Sequence, residues 1–371
     1  MNEASLKLDQ ASKLAGQKGY DGLVIYSDGP SVMAVPSYFY YFSGLRLLGS
    51  NSAVVLSKSG ERILLVQPSW DLSRAAKKSE IADTRGTDNF VPDVVKAMKD
   101  LKISGTVGVL GTRQMNSDLF AAISKQAKIE PAESISEEIA KEKSKTELDN
   151  IRETARIADI GFKAFLDYTK VGVREYELVA EIGYAMQSAG SEDCFNLVSS
   201  GKESTELHAP TNRKMENGDI VIIEITPVCD GQFFQLCRTI SLGQPSKDLA
   251  TKYEMLMDAL KDSMKVVKPG AEAGEIAKAM NKIIGAAGYE KYCYPPYMRT
   301  RGHGLGVGSM SPGFDIDGNT KTTFQKNQVV VVHPNQWLPG TGYLACGETV
   351  LVTADGIEKL SKTETKLYVK E

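Results

Sequence analysis

Hydrophobic and polar positions change their spacing several times along the first 130 residues, and these changes predict alternating helices and strands. Apolar residues that recur every three or four positions predict an amphipathic helix, and a short apolar run between turn residues predicts a buried strand. Helices are predicted at residues 6–18, 91–101 and 118–126, and strands at residues 22–26, 38–44, 52–56, 62–66 and 107–110. Because strands that alternate with helices pack in layers, this region is expected to form a small α/β domain.

A polar stretch after residue 135 separates this region from the rest of the chain. Residues 136–145 (SEEIAKEKSK) contain few apolar positions. Ser144 and Glu147 have the spacing of a capping box, in which each side chain bonds to a free backbone amide at the start of a helix. The periodic apolar residues that follow predict one long helix over 148–170. We therefore expect two domains, residues 1–135 and 136–371.

The second domain contains a weak internal repeat. Helical patterns over 148–170 and 249–268 lie about one hundred residues apart, and each is followed by a glycine and a second helix of similar length. The Ala-Gly pairs at 189–190 and 287–288 fall at the same offset in the two halves. The repeat predicts a pseudo-twofold α+β domain with helices outside a curved sheet. Chance similarity between amphipathic helices would explain the spacing equally well.

Composition and charge exclude several classes of function. Lys and Arg total 44 and Asp and Glu total 47, which gives a net charge of −3, whereas surfaces that bind nucleic acids or anionic membranes are basic. The five cysteines form no Cys-x-x-Cys pair, which argues against a zinc ribbon or a disulfide scaffold. No apolar run is long enough to span a bilayer, and the first residues lack the features of a signal peptide. We expect a cytoplasmic protein with neither a nucleic-acid nor a membrane partner.

Two predicted strands carry ionisable residues at their ends. Glu224 lies near the end of the run IVIIEI, and His333 directly follows the run VVVV. Burying an ionisable group is costly without a partner, so such a residue lies either at the surface or in a functional site. The chain has only three histidines, and another of them, His303, lies between two glycines that permit close approach of a ligand. Together these positions favour a functional site over the surface.

The order of these segments resembles that of a known family. The segments around His208, Glu224–Thr239, His303 and His333–Thr349 are arranged as in the pita-bread fold of creatinase, prolidase, Xaa-Pro aminopeptidase and methionine aminopeptidase. The first 130 residues resemble the smaller N-terminal domain of creatinase and prolidase, with Tyr40–Gly44 in place of a family strand end. The resemblance implies the fold class: an α+β, pseudo-twofold pita-bread domain preceded by a smaller α/β domain.

The chain departs from this family at the metal ligands. Metal-dependent members hold two divalent ions with two aspartates, one histidine and two glutamates, and the resemblance places at those positions, in chain order, Glu224, Gln235, His303, His333 and Gly347. Glu348 follows the last position, and Met310 stands where peptidase members carry a second histidine. Two divalent ions need several carboxylates to offset their charge. We therefore expect no cofactor.

The resemblance to creatinase suggests a metal-independent hydrolase that cleaves a C–N bond of a small polar amide, urea or amidine. His208 matches the segment of creatinase's key histidine and is predicted to move the proton. Glu224 and Glu348 are predicted to orient the substrate or raise the imidazole pKa, with His303 and His333 hydrogen bonding to the substrate carbonyl or its amide neighbour. Residues predicted to bind the substrate, the arginines through paired N–H donors, are Gln235, Arg46, Arg299, Arg301 and Met310.

Two further functions fit the same residues. Glu224, His303 and His333 could form a rewired site for a single divalent ion, which would support a metal-dependent Xaa-Pro peptidase-like hydrolase or a lyase. A catalytically silent module that binds peptides is the second alternative. Cysteines beside the site strands make a thiol nucleophile conceivable, although a small buried residue is the commoner role of cysteine.

The resemblance also implies the partners of this protein. A small molecule is the expected substrate. Family members with this N-terminal domain commonly form dimers in which that domain reaches toward the partner's active site. We therefore expect a homodimer in which Arg46 or a neighbour completes the site.

Overall fold

The computed structural model describes residues 3–29 and 36–371. It divides into two compact units, Met1–Ala140 and Lys141–Glu371. The predicted boundary after residue 135 falls inside the helix Glu133–Ile139, which packs on the first helix of the N-terminal unit and belongs to that unit. Among the residues that the structure describes, no helix is both long and apolar enough to cross a membrane.

The N-terminal unit is a six-stranded mixed sheet with helices packed on it. Its elements are, in chain order, α1 (Glu3–Gln17), β1 (Gly22–Ser27), α2 (Tyr38–Ser43), β2 (Ser52–Ser57), β3 (Arg62–Val66), α3 (Leu72–Lys78), β4 (Asp83–Gly86), α4 (Phe90–Asp100), β5 (Thr106–Leu110), α5 (Ser117–Ser124), β6 (Lys128–Pro131) and α6 (Glu133–Ile139). The strand order is β4-β3-β2-β1-β5-β6, with β1–β2 and β2–β3 antiparallel and the other pairs parallel. One face of the sheet forms a core with α4 and α5.

One predicted strand of this unit, residues 38–44, is instead the short helix α2. The aromatic residues of this segment favour a strand by composition, but Phe39 and Phe42 are buried three positions apart, as one face of a helical turn requires. The Ser37 hydroxyl accepts a hydrogen bond from the Tyr40 amide at 3.3 Å, and Gly44 ends the helix in the left-handed region at a φ of 64°. Local capping therefore outweighs strand propensity here.

The C-terminal unit contains two pairs of packed helices, each followed by strands. Its helices are α7 (Lys145–Tyr168), α8 (Glu175–Ser188), α9 (Lys247–Met264) and α10 (Gly274–Ile284). The predicted capping box is confirmed at the start of α7, where Ser144 and Glu147 bond to each other's amides. Helices α7 and α8 pack together, as do α9 and α10, in agreement with the repeat in the sequence.

The strands of this unit form sheets on which its helices pack. They are β7 (Asp193–Gly201), β8 (Ile220–Cys229), β9 (Gln232–Phe233), β10 (Leu236–Leu242), β11 (Gly302–Gly304), β12 (Val329–Val332), β13 (Gln336–Leu338), β14 (Gly342–Leu344), β15 (Glu348–Val352), β16 (Ile357–Lys359) and β17 (Tyr368–Lys370). The sheets have the orders β17-β10-β8-β7, with β9 on β8, then β11-β12-β15-β16, and β13-β14. Helices α9 and α10 share a core with residues of β8, β10, β12 and β15, and this packing positions the strands that carry the candidate site.

Candidate active site

Strands β8 and β10 place Glu224 in the interior. The antiparallel register sets Glu224 directly opposite Cys237, and only 8% of the glutamate surface is exposed. The Cys237 thiol lies 3.7 Å from the carboxylate Oε2 and donates to it. Burial raises the pKa of Glu224 to about 7, and hydrogen bonds from Cys237 and Gln235 only partly oppose this effect. The pairing partner of this carboxylate is thus a thiol and not a cation.

Cys237 connects three polar side chains of the site. Besides its contact with Glu224, its sulfur accepts from Gln235 Nε2 at 3.7 Å and from Asn335 Nδ2 at 3.8 Å. Burial raises the pKa of Cys237 well above its usual value, so the sulfur stays protonated and is not prepared as a nucleophile. Asn335 also accepts from the Cys346 amide at 3.0 Å. Sequence reasoning missed Asn335, whose only signal is its position two residues after His333.

His303 and His333 meet at the junction of β11 and β12. Their ring centroids are 5.7 Å apart. His303 Nδ1 lies 2.9 Å from the Gly304 carbonyl oxygen, which places the proton on Nδ1 and leaves the Nε2 lone pair available. Burial lowers the pKa of His303 to about 4 and that of His333 to about 3. Both rings are therefore neutral at neutral pH.

Gly347 allows the backbone of β15 to approach this cluster closely. A Cβ atom at this position would lie 2.9 Å from the Cβ of His333 and 3.3 Å from the Cβ of Cys237. Contacts that short force the neighbours to move, and Cys237 is held in β10 while His333 directly follows β12. The position where the resemblance expects a glutamate therefore leaves little room for any side chain.

Glu348, the next residue, is engaged by cations. Successive residues of a strand face opposite sides, and Glu348 pairs with the buried Arg238 guanidinium at 2.5 Å and with Lys359 Nζ at 2.9 Å. The Thr365 hydroxyl donates to the same carboxylate. The predicted role of Glu348 in orienting the substrate remains a prediction, and in this structure its charge is already neutralised.

The three candidate arginines lie in different environments. Arg301 is buried and donates to Asn281 Oδ1 at 3.0 Å, to the Asn335 carbonyl at 3.2 Å and to Gln336 Oε1 at 2.8 Å, and burial lowers its pKa to about 10. Arg301 thus supports the backbone that carries Asn335. Arg299 is exposed and lies 4.4 Å over the Phe314 ring, which in turn stacks on His303. Arg46 lies in the N-terminal unit, where its carbonyl accepts from Arg74.

His208 is separated from Glu224 by one strand. Its backbone exchanges two hydrogen bonds with Val198 of β7, at 2.9 and 3.1 Å, and Val198 is paired with Ile223 of β8 on its other side. The ring is about one-third exposed, with Nδ1 2.8 Å from the Ala209 carbonyl oxygen. Met310, by contrast, is buried. The structure therefore brings Glu224 and Gln235 together through Cys237, brings His303 and His333 together, and places His208 in a neighbouring loop.

The donors are not grouped as a ready-made metal centre. Across residues 3–29 and 36–371, no set of three or more His, Cys, Asp or Glu side chains is arranged to hold a metal ion. Three buried atoms on the candidate residues, Gln235 Oε1, His333 Nδ1 and Glu348 Oε2, nevertheless have no hydrogen-bond partner among the described residues. Unpartnered buried polar atoms are costly, and a group bound at the site would give them partners.

Comparison with known proteins places this site in a family. Residues 149–354, more than half of the chain, match the model of metallopeptidase family M24. An Xaa-Pro dipeptidase of Pyrococcus furiosus is 26% identical over 93% of this chain and 98% of that protein, and an uncharacterised peptidase of Bacillus subtilis is 26% identical over 98% and 100%. The solved structure of a dipeptidase from Pyrococcus horikoshii has a TM-score of 0.85 at 25% identity, covering 98% of this chain and all of that one.

The fold prediction is confirmed by this similarity. The solved prolidase from Pyrococcus furiosus, which matches with a TM-score of 0.82 at 24% identity, covers 95% of this chain and 99% of its own. Both the smaller N-terminal domain and the pita-bread domain are therefore present, as expected from the resemblance.

The prediction that no cofactor is required is wrong. The matching family is one of metallopeptidases, in which a metal ion belongs to the chemistry. A pair of divalent ions does not fit the residues present, because Glu224 is the only carboxylate at the five ligand positions and cannot offset their charge. The chemistry of two neutral imidazoles and one carboxylate suits a single ion.

The comparisons also bear on two of the predicted functions. Relatives named as Xaa-Pro dipeptidases favour the peptidase-like alternative over the creatinase-like main prediction. The prediction of an enzyme that hydrolyses a C–N bond is common to both and is confirmed. From its sequence match, its fold and its full-length relatives, this chain belongs to metallopeptidase family M24 and is a peptidase-like hydrolase.

Proposed function

We propose that this chain is a metal-dependent hydrolase of the Xaa-Pro peptidase type, which cleaves the C–N bond of a short peptide with the help of one divalent ion. Full-length similarity to proteins named Xaa-Pro dipeptidase supports the reaction type. The observation that carries the assignment of the site is its set of buried acceptors. Gln235 Oε1 and His333 Nδ1 have no partner among the described residues, and Glu224 is paired with a thiol.

The residue types at the site suit one divalent ion. His303, His333 and Glu224 would hold the ion, since neutral imidazoles and a carboxylate form a common ligand set for zinc, iron and manganese. Such an ion polarises a carbonyl and lowers the pKa of a bound water molecule. Because the described residues present no ready-made group of three donors, we expect the ion to bind more weakly than in a preformed centre.

The protein's own residues bind and orient the peptide around this cluster. Arg299 is an exposed cation beside His303. Its Nε lies 3.4 Å from Asp315 Oδ1, and its other two nitrogens can pair with the peptide carboxylate. Gln235 Oε1 is a buried acceptor for a peptide N–H. His208, about one-third exposed in the adjoining loop, is the group we assign to proton transfer at the leaving nitrogen.

The homodimer is part of this proposal. Arg46 lies in the N-terminal unit, and the resemblance suggests that it reaches the site of a partner subunit. If so, activity per chain should fall on dilution below the dimer dissociation constant. Activity that is independent of concentration in a protein shown to be monomeric by analytical ultracentrifugation would contradict this part.

The test begins with metal-depleted protein. We expect Mn²⁺, Co²⁺ or Zn²⁺, added singly, to restore release of proline from Ala-Pro and Met-Pro, with little cleavage of Ala-Ala. Elemental analysis after removal of excess ion should give one ion per chain. His333→Ala should lose both the ion and the activity, whereas His208→Ala should keep the ion and lose about 10²–10⁴-fold in kcat.

Each expected result has an alternative outcome that would contradict the proposal. Two ions per chain would contradict the single-ion site, and full activity in the presence of a chelator would contradict the need for metal. Failure to cleave any Xaa-Pro peptide with each ion in turn would overturn the proposed reaction. If His208→Ala keeps the wild-type kcat, the assignment of proton transfer to His208 is wrong.

A further inference from the structure

Glu175, in the first turn of α8, is a buried carboxylate that sequence reasoning did not single out. It is 1% exposed and accepts four hydrogen bonds from residues outside its helix. Ser200 donates through its amide at 2.9 Å and its hydroxyl at 2.6 Å, and Thr211 donates through its amide at 3.0 Å and its hydroxyl at 2.6 Å. Because all four hydrogen bonds come from residues outside α8, the Glu175 carboxylate holds those residues in place.

These four bonds close a loop that carries His208. Ser200 lies at the end of β7 and Thr211 follows the loop, which we call the His208 loop (residues 201–210). One carboxylate therefore ties both ends together. Arg213 extends the closure, donating to the Ser200 hydroxyl at 2.9 Å and pairing with Asp219 at 2.5 Å.

Glu175 is ionised in this position. Burial alone would raise its pKa, but the hydrogen bonds from Ser200 and Thr211 outweigh burial and lower it. The start of α8 has another carboxylate for its own amides, because Glu177 accepts from the Arg174 amide at 2.8 Å. His208 Nδ1 lies 4.0 Å from the Glu175 carboxylate, so the same group faces the candidate proton-transfer residue.

The His208 loop reaches the Glu224 cluster, by which we mean Glu224, Gln235, Cys237 and Asn335, through Tyr343. The Ser204 carbonyl accepts from the Tyr343 amide at 2.6 Å. Next to it, Gly342 is in the left-handed region at a φ of 69°, and a Cβ there would collide with the Ser204 backbone. Tyr343 packs against the core that contains Cys237, and its pKa is raised by burial and by the nearby Cys237 and Glu224. A continuous path of contacts thus joins Glu175 to the candidate site.

We infer that Glu175 is a positioning residue, which fixes the His208 loop against Tyr343 and thereby sets the place of His208 beside the Glu224 cluster. The effect of Glu175 on turnover rests on the function proposed above, whereas its effect on the loop is independent of that function. Small displacements of catalytic groups have large kinetic effects, since about 1 Å of misplacement costs up to roughly 10²-fold in rate.

The experiment compares Glu175→Gln with a matched control in the full-length protein. Glutamine keeps the size of the side chain but can accept only at one atom, so two of the four donors lose their partner. Asp159 of α7 is the control, because it also accepts four hydrogen bonds, from Ser361, Lys362 and Thr363, at 2.6 to 3.2 Å, in a segment without a candidate catalytic residue. Asp159→Asn therefore removes similar bonds elsewhere.

Three readouts separate loop positioning from general loss of stability. With only three histidines in the chain, their ring C–H signals in a ¹H–¹³C NMR spectrum are assigned by single His→Ala variants. Limited trypsin digestion reports each segment separately, through cleavage after Lys202 in the His208 loop and after Lys362 in the control segment. The ratio kcat/KM for the peptide substrate reports turnover.

We expect Glu175→Gln to shift or broaden the His208 signal, to leave His303 and His333 unchanged, to speed cleavage after Lys202 and to lower kcat/KM about tenfold or more. Asp159→Asn should speed cleavage after Lys362 only. Glu175→Asp, which keeps the charge on a shorter side chain, should fall between wild type and Glu175→Gln, and it replaces Glu175→Gln if that variant does not fold.

Two results would overturn the inference. An unchanged His208 signal together with unchanged cleavage after Lys202 would show that Glu175 does not fix the loop. A changed loop with wild-type kcat/KM would show that turnover does not use its position. If wild-type protein cleaves no peptide, the proposed function fails, while the NMR and trypsin results still decide whether Glu175 fixes the loop.

Discussion

Glu224 and Glu348 are two buried glutamates on strands of the same unit, and they differ in what surrounds them. Both are less than a tenth exposed. Glu224 faces the Cys237 thiol, and the side-chain amides of Gln235 and Asn335 lie beside that thiol. The charge of Glu224 is therefore not neutralised by a hydrogen-bonded cation. Glu348 pairs with two cations, Arg238 and Lys359. Equal burial therefore leaves one carboxylate without a cation in its hydrogen bonds and the other already paired with two cations through its Oε1 atom.

The sequence analysis assigned one joint role to the two glutamates, and this difference implies that their roles differ. A carboxylate with a buried arginine partner contributes to stability, and removing one partner leaves an unpaired buried charge. A carboxylate without a cation is costly to bury and is retained where it has a function. We therefore expect substitutions at Glu348 to affect mainly folding, and substitutions at Glu224 to affect mainly activity.

The largest effect on stability is expected for Glu348→Gln. The buried Arg238 guanidinium would lose its ionic partner, and breaking a buried pair in this way costs about 3–5 kcal/mol. Urea denaturation of the variant and the wild type, compared at equal pH, measures the loss. A variant of wild-type stability that has lost peptidase activity would instead assign Glu348 to catalysis and would remove the distinction from Glu224.

Glu224→Gln should show the opposite behaviour. Loss of the carboxylate should lower kcat by on the order of 10²-fold or more, through loss of the divalent ion. The control is Glu348→Gln, assayed under conditions where it is still folded. If Glu224→Gln keeps both the ion and the activity, the proposed site is incorrect.

The same variant gives a prediction for stability against pH in metal-free protein. The pKa of Glu224 is about 7 in the folded chain and is lower in the unfolded chain, so the folded state binds the additional proton between those values. The stabilising contribution of this bound proton is therefore lost as the pH rises through 7. We expect Glu224→Gln to be more stable than wild type at pH 8.5, by up to roughly 3 kcal/mol, and the gain to shrink toward pH 5.

The fold and the site strands were predictable because their signals are local. Apolar periodicity located the long helices, and the polar residue at the end of each apolar run located Glu224 and His333. The partners of these residues were not predictable, because they come from distant segments. Cys237 and Asn335 meet across nearly one hundred positions, and nothing in the sequence pairs Arg238 with Glu348. The hydrophobic pattern indicated that these residues are buried, but it did not indicate which of the carboxylates has a cation beside it.

Gly347 lies between the two regions, and Gly347→Ala tests how tightly they are packed. The added Cβ would lie 2.9 Å from His333 Cβ and 3.3 Å from Cys237 Cβ, so we expect a loss of about 1–3 kcal/mol. Gly356→Ala is the control, since a Cβ there meets nothing within 4 Å. Equal stability of the two variants in urea would show that the strands near Glu224 yield easily, and a longer side chain at 347 would then be tolerated.

The smallest effect is expected for Lys359→Met, which removes the second cation beside Glu348. Lys359 Nζ lies 2.9 Å from the carboxylate, but its side chain is 35% exposed and also donates to the Thr363 carbonyl. Water screens such a pair, and exposed pairs contribute about 1 kcal/mol or less. With Arg238 still in place, the urea midpoint should move only slightly. A loss as large as that of Glu348→Gln would show that Lys359 is the main counter-ion, and that the buried arginine does not by itself neutralise this carboxylate.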